Sequence, residues 1–164
     1  MSEVPEGVDL SGFVRKAPRP TATMTLTRDG PNGPEVLLGL RSETMAAFPG
    51  YWAFTGGGVS RVDAAAVESF SVLDVEHGKA IACILRETCE ELGVAPNGDR
   101  VISIDESARF DVIKDKANWL PHAEDCNIPV NIDNINILGH RITPPFGPVQ
   151  FDNAFIHFHC GDWQ

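Results

Sequence analysis

Arg86-Glu87-Thr88-Cys89-Glu90-Glu91-Leu92-Gly93-Val94 closes a helical pattern with three glutamates and a glycine, and the fold turns on it. From residue 79 the positions Ile81, Ile84, Leu85, Thr88 and Leu92 recur at i, i+3, i+4, i+7 and i+11, the period of a helix with one buried face. Glu87, Glu90 and Glu91 stand at i, i+3 and i+4, so their carboxylates share one surface. Like charges that close either spread into solvent, as on an ordinary helix face, or gather around a hard divalent cation. Magnesium, held by few carboxylates plus water and phosphate oxygens, suits the second case. Gly93 supplies the left-handed position that ends the helix, with Pro96, Asn97 and Gly98 forming the turn behind it.

Ahead of this run, Phe48-Pro49-Gly50-Tyr51-Trp52-Ala53-Phe54-Thr55-Gly56-Gly57-Gly58-Val59 reads as a loop, a short strand and a glycine turn. Together the two stretches resemble the Nudix box, G-x5-E-x7-R-E-U-x-E-E-x-G-U, where U is apolar. The second half matches, with Thr88 in place of the first apolar residue. The first half is split: the box places 14 positions from glycine to arginine, whereas Gly57 to Arg86 spans 29, an insertion of about 15 residues within 60–77. Counting back eight residues from Arg86 lands on Gly78, so the box's first glutamate is missing from that place. Glu76, close to three helical turns before Glu87, and Asp74 are the two candidates to substitute for it.

The resemblance implies an α/β fold, a mixed β-sheet between helices. It also implies hydrolysis of a nucleoside diphosphate linked to another moiety, by water attack on a diphosphate phosphorus. On that reading Glu90 and Glu91 hold Mg2+, or Mn2+ in its place, and Glu87 is a further ligand or the base that deprotonates the water. Arg86 orients the glutamates through an ion pair, and Gly57 shapes the metal-binding turn. Arg41 and Arg61 are candidates for contact with substrate phosphates. The second reading is a catalytically silent Nudix module that binds a nucleotide or a protein partner within a larger assembly. Intact glutamates favour the enzyme; the split box and Gly78 favour the silent module.

Late in the chain, Gly139 to Pro145 followed by Val149 to Phe155 resembles the strand pairs of coenzyme A diphosphatase-like and fused Nudix domains. Only Asp162, Trp163 and Gln164 follow Gly161. The C-terminal helix that covers the second sheet face in such domains is therefore expected to be missing, through truncation or because another chain covers that face. A homodimer is one expectation that follows.

Length and composition suit one core. The 164 residues can bury roughly 68–70% of their extended surface. Thirteen basic against 23 acidic residues give a net charge of −10, which argues against binding a nucleic-acid duplex, whose partners are basic. An acidic protein meets a phosphate substrate most readily through a bridging cation. Cys83, Cys89, Cys126 and Cys160 have neither a CxxC pair nor zinc spacing and read as reduced thiols. With no apolar stretch of 18 residues and a polar start, neither a membrane span nor a signal peptide is expected, and the cytoplasm is the default location.

Residues 1–19 read as a loose lead-in to one domain over 20–164. Strands are expected at 21–28 and 35–40, forming a hairpin around Asp29-Gly30-Pro31-Asn32-Gly33-Pro34, and at 101–112, 135–142 and 151–160. His157 and His159 alternate on the last of these and read either as a half-exposed strand face or as metal ligands. Trp52, Phe54, Phe110 and Trp119 are as suited to a core as to stacking on a base. Gly56-Gly57-Gly58 is no P-loop, since no Lys-Ser or Lys-Thr follows.

Overall fold

Alternating Thr21, Thr23, Thr25 and Thr27 with Ala22, Met24 and Leu26 build the central strand, β1 (Arg19–Gly30). The apolar set is 1% exposed, while the β-branched threonines suit the pleat on the other side. In this computed structural model the described residues are 6, 7, 9, 17–45, 48–67, 75–115, 119–128, 130–144 and 149–163. Asp74, most of the 1–19 lead-in and the middle of the 60–77 insertion lie outside them.

One edge of β1 is shared by two short strands. β2 (Gly33–Val36) and β5 (Thr55–Gly58) both pair with it antiparallel, β2 along Thr27 to Gly30 and β5 along Thr21 to Met24. The other edge takes β9 (Phe151–Cys160) in parallel, and β8 (Ile135–Ile142) closes the sheet antiparallel to β9. The result is a mixed sheet in the order β2-β1-β9-β8, with β5 beside β1. The expected hairpin forms as β1–β2. Gly39 and Leu40 instead make β3 (Gly39–Leu40), which pairs with β4 (Trp52–Ala53).

α1 (Arg61–Ala66) opens on a capping box, with Ser60 and Asp63 exchanging hydrogen bonds. α2 (Val75–Leu92) is the glutamate helix, and it packs on β1 and β5. Its buried face holds Ile81, Ile84, Leu85 and Thr88 as the spacing predicts, and also Ala82, Cys83, Arg86 and Cys89. Thr88 is accommodated because its hydroxyl donates to the Ile84 carbonyl at 2.6 Å. Gly93, at φ +66°, ends the helix with its N–H on the Cys89 carbonyl. Arg109 then donates to the Glu90 and Glu91 carbonyls, placing a cation on the helix C-terminus.

The 94–112 region departs from expectation. Val94–Asn97 is a strand, β6, ahead of the Gly98 turn, and β7 (Arg100–Ser103) pairs with it. The predicted extension to 112 gives way to a helix, α3 (Glu106–Lys114), because the Asp105 carboxylate accepts from the Ser107 and Ala108 N–H groups. α4 (Trp119–Asp125) packs on α3 and buries Trp119, so that indole is core and not a stacking surface. β10 (Asp162–Trp163) pairs with β7.

α2 covers the sheet face that carries Ala22, Met24, Leu26, Ala154, Ile156 and Phe158. On the opposite face Thr21, Thr23, Asn153, Phe155, His157 and His159 are all at least partly exposed. No helix among the described residues packs on that face. No helix among the described residues is long and apolar enough to cross a membrane.

Candidate active site

The site is organised by one buried cation. The Arg86 side chain is 4% exposed and donates from Nε and Nη2 to both oxygens of Asp63, at 2.9 and 3.0 Å. Nη1 donates to Glu87 Oε1 at 2.8 Å and to Glu90 Oε1 at 3.2 Å, and Nη2 reaches the Gly58 carbonyl at 3.4 Å. A single guanidinium thus fixes three carboxylates and the glycine turn. Burial alone would lower the Arg86 pKa, but the hydrogen bonds and charge of Asp63, with the charge of Glu87, outweigh it and raise it. The predicted ion pair within the box is present.

Asp63 is the residue that the backward count missed. Counting forward, G-x5-E from Gly57 lands on position 63, so the box's first acid is an aspartate in its own place and the extra residues all follow it. A side chain at Gly78 would be crowded: a Cβ there would stand 2.8 Å from Val67 Cγ1, where α1 meets α2. Of the two candidate substitutes, Glu76 is solvent-exposed on the first turn of α2 and pairs with Lys79 at 2.7 Å. It takes no part in the Arg86 cluster, and Asp74 lies outside the described residues.

Gly57 faces the helix so closely that an added Cβ would overlap the Glu87 carboxylate. Gly56 is as constrained, since a Cβ there would run into the Ala22 carbonyl oxygen. The glycine turn is therefore what lets the glutamates lie against the sheet edge. Glu91 is tied separately: its Oε2 accepts from Thr55 Oγ1 at 2.6 Å and from the Gly56 N–H at 3.1 Å. Burial raises the Glu87 pKa, Arg86 opposes it, and the Glu90 and Glu91 charges add to the rise. Burial also pushes the Cys83 and Cys89 thiols up, Cys89 to about 11, so both stay protonated and inert.

Among the described residues no three acidic, imidazole or thiol side chains converge into a ready-made metal cage. The donor set still fits a hard cation. Glu87, Glu90 and Glu91 offer only oxygens, and the second oxygens of Glu87 and Glu91 accept no hydrogen bond among the described residues. Magnesium needs few carboxylates when water and substrate phosphate complete its shell.

A cleft of about 560 Å³ opens from the glycine turn across the bare sheet face. Its aromatic walls include Phe48, Phe54, Phe151 and Phe155, with Thr21, Thr23 and Asn153 on the floor. Asn153 Oδ1 accepts from both threonine hydroxyls, at 2.9 and 3.2 Å. The two charged residues of the lining are Arg41 and Arg141. Arg41 also lines a neighbouring hollow with Phe54, Thr55 and Glu91. Arg41 and Gly57 are thus brought to the cleft. Arg61, at the start of α1, lines neither hollow. Phe54 faces the cleft, whereas Trp52 and Phe110 are exposed elsewhere, on β4 and α3. His157 and His159 share Thr27 Oγ1, at 2.8 and 3.1 Å, on the open sheet face.

No protein-family profile matches the chain, and no curated protein does. Solved structures do. A Nudix hydrolase from Alicyclobacillus acidocaldarius aligns over 92% of this chain and 73% of its own, with 25% identity and a TM-score of 0.74. A MutT/nudix family protein from Enterococcus faecalis aligns over 91% and 42%, at 18% identity and a TM-score of 0.46. A Nudix hydrolase from M. smegmatis aligns over 88% and 62%, at 14% and 0.42. The last two overlap too loosely to argue from. The first carries the conclusion that this is the Nudix fold, and the resemblance read from the box holds in three dimensions.

Proposed function

We propose that this chain is a magnesium-dependent Nudix diphosphatase, cleaving the diphosphate of a nucleoside diphosphate linked to another moiety. The observation that carries the reading is the Arg86 cluster. One buried guanidinium gathers Asp63, Glu87 and Glu90 beside the glycine turn, at the mouth of an aromatic cleft. The first acid of the box has a counterpart in Asp63, which removes the main reason to favour a silent module.

Glu90 and Glu91, with Glu87 as a third ligand or as the base, are the residues that would hold Mg2+, or Mn2+ in its place. Bound there, the ion would neutralise charge developing on the phosphoryl oxygens and acidify a water. Arg86 keeps Glu87 and Glu90 aimed and makes their crowding tolerable. Gly57 leaves room for the Glu87 carboxylate to lie against the turn, and Arg41, which lines the cleft, would contact diphosphate oxygens. Phe54 and Phe155 give the nucleoside an apolar wall.

The test is product release from a panel of nucleoside diphosphate derivatives, among them ADP-ribose and dinucleoside polyphosphates, with wild type and Glu90→Gln. Metal-dependent turnover abolished in the variant is the expected result. Wild type that binds nucleotides but never turns them over would leave the binding module as the better reading.

A further inference from the structure

The three glutamates of α2 are held in two different ways. Glu87 and Glu90 share the Arg86 guanidinium. Glu91 makes no ion pair among the described residues, and its side chain accepts from neutral donors alone: Thr55 Oγ1 at 2.6 Å and the Gly56 N–H at 3.1 Å. Both bonds fall on Oε2, so among the described residues Oε1 accepts none. Glu91 is thus the glutamate whose charge no cation of the protein matches, and one of its oxygens stands ready for an ion.

Thr55 is built to hold that carboxylate still. It opens β5, in register with Met24 of β1, and is 4% exposed. The next residue, Gly56, lies so close to β1 that an added Cβ would run into the Ala22 carbonyl oxygen, so the strand is pressed onto its neighbour. A β-branched side chain is stiff at χ1, and a hydroxyl carried on a strand is placed more closely than one on a loop. Its 2.6 Å separation from Oε2 is that of a charge-assisted O–H···O⁻ bond. A glutamate otherwise loses rotamer freedom when an ion orders it; here Thr55 orders it beforehand.

We infer that Thr55 is a positioning residue of the cation site. Its hydroxyl fixes Glu91 Oε2 and thereby presents Oε1 to a divalent ion. The inference rests on the reading of the glutamates as a cation site.

Manganese titration followed by electron paramagnetic resonance on wild type, T55V, T55S and T55A, with the melting temperature of each in EDTA, tests this. Valine keeps the β-branched shape and removes the hydroxyl, whereas serine keeps the hydroxyl. T55V should bind manganese roughly tenfold or more weakly than wild type, as expected when a residue that orients a metal ligand is removed. T55S should stay close to wild type. Should T55V melt below the titration temperature, T55A carries the same expectation. A threonine that serves only the sheet would lower the melting temperature of T55V in EDTA and leave the manganese affinity of the folded protein unchanged, and that result overturns the inference. So does a loss in T55S as large as in T55V. A wild type with no manganese site at all would overturn the cation reading and this inference with it, whereas equal binding by wild type and T55V would overturn this inference alone.

Discussion

Removing Asp63 should unfold this protein sooner than almost any other polar substitution. Its side chain is 0% exposed and that of Arg86 4%, so Asp63→Ala strands a guanidinium out of water. Breaking a buried pair from one side costs about 3–5 kcal/mol. Glu87 and Glu90 still accept from Nη1, which places the loss near the lower end, about 3 kcal/mol. For a chain of this length each kcal/mol moves the melting temperature by about 2–4 °C, so a drop of roughly 6–12 °C is expected by circular dichroism. Asp63→Asn keeps an acceptor but not the charge and should lose less. An Asp63→Ala protein melting within about 2 °C of wild type would refute the reasoning, for it would mean that Arg86 is not held by Asp63 in solution.

Three further expectations follow from the same cluster. Gly57→Ala drives a methyl into the Glu87 carboxylate, and a displacement of that order costs about 100-fold in turnover with little change in melting temperature. Gly78→Ala sets a helix-propensity gain of about 0.5–1 kcal/mol against overpacking on Val67 of about 1–3, so a net loss of about 1 kcal/mol should appear in a denaturant titration. In EDTA, Glu87→Gln should raise the melting temperature at pH 7. The folded-state pKa of Glu87 lies above its ordinary 4.5, so the folded state holds that proton more tightly and the carboxylate costs stability once ionised. That cost, and with it the variant's advantage, should fade as pH falls through the raised value towards 4.5; an advantage independent of pH would contradict it.

The glutamate helix, its Gly93 stop, the β1–β2 hairpin and strands β8 and β9 were legible because each follows a strict local period or a strong turn signal. The site was legible where it is local to α2. Asp63 was lost because an insertion makes the count from Arg86 and the count from Gly57 disagree, and only the second keeps glycine and acid in one turn. α3 was misread because Val101 to Val112 is apolar enough for strand, while the decision rests on the Asp105 cap. Trp119 could not be placed from sequence, since burial of an indole depends on where α4 packs. Arg141 and Asn153 carry no motif: they meet the cleft only through the pairing of β8 and β9 with β1, which one strand's sequence does not specify.

Manganese titration followed by electron paramagnetic resonance, on wild type, E90Q and E76Q, bears most directly on the claim that the carboxylates gathered by Arg86 are a cation site. Wild type and E76Q should bind manganese alike, and E90Q at least roughly tenfold more weakly. Equal binding by wild type and E90Q, or a loss confined to E76Q, would contradict the assignment.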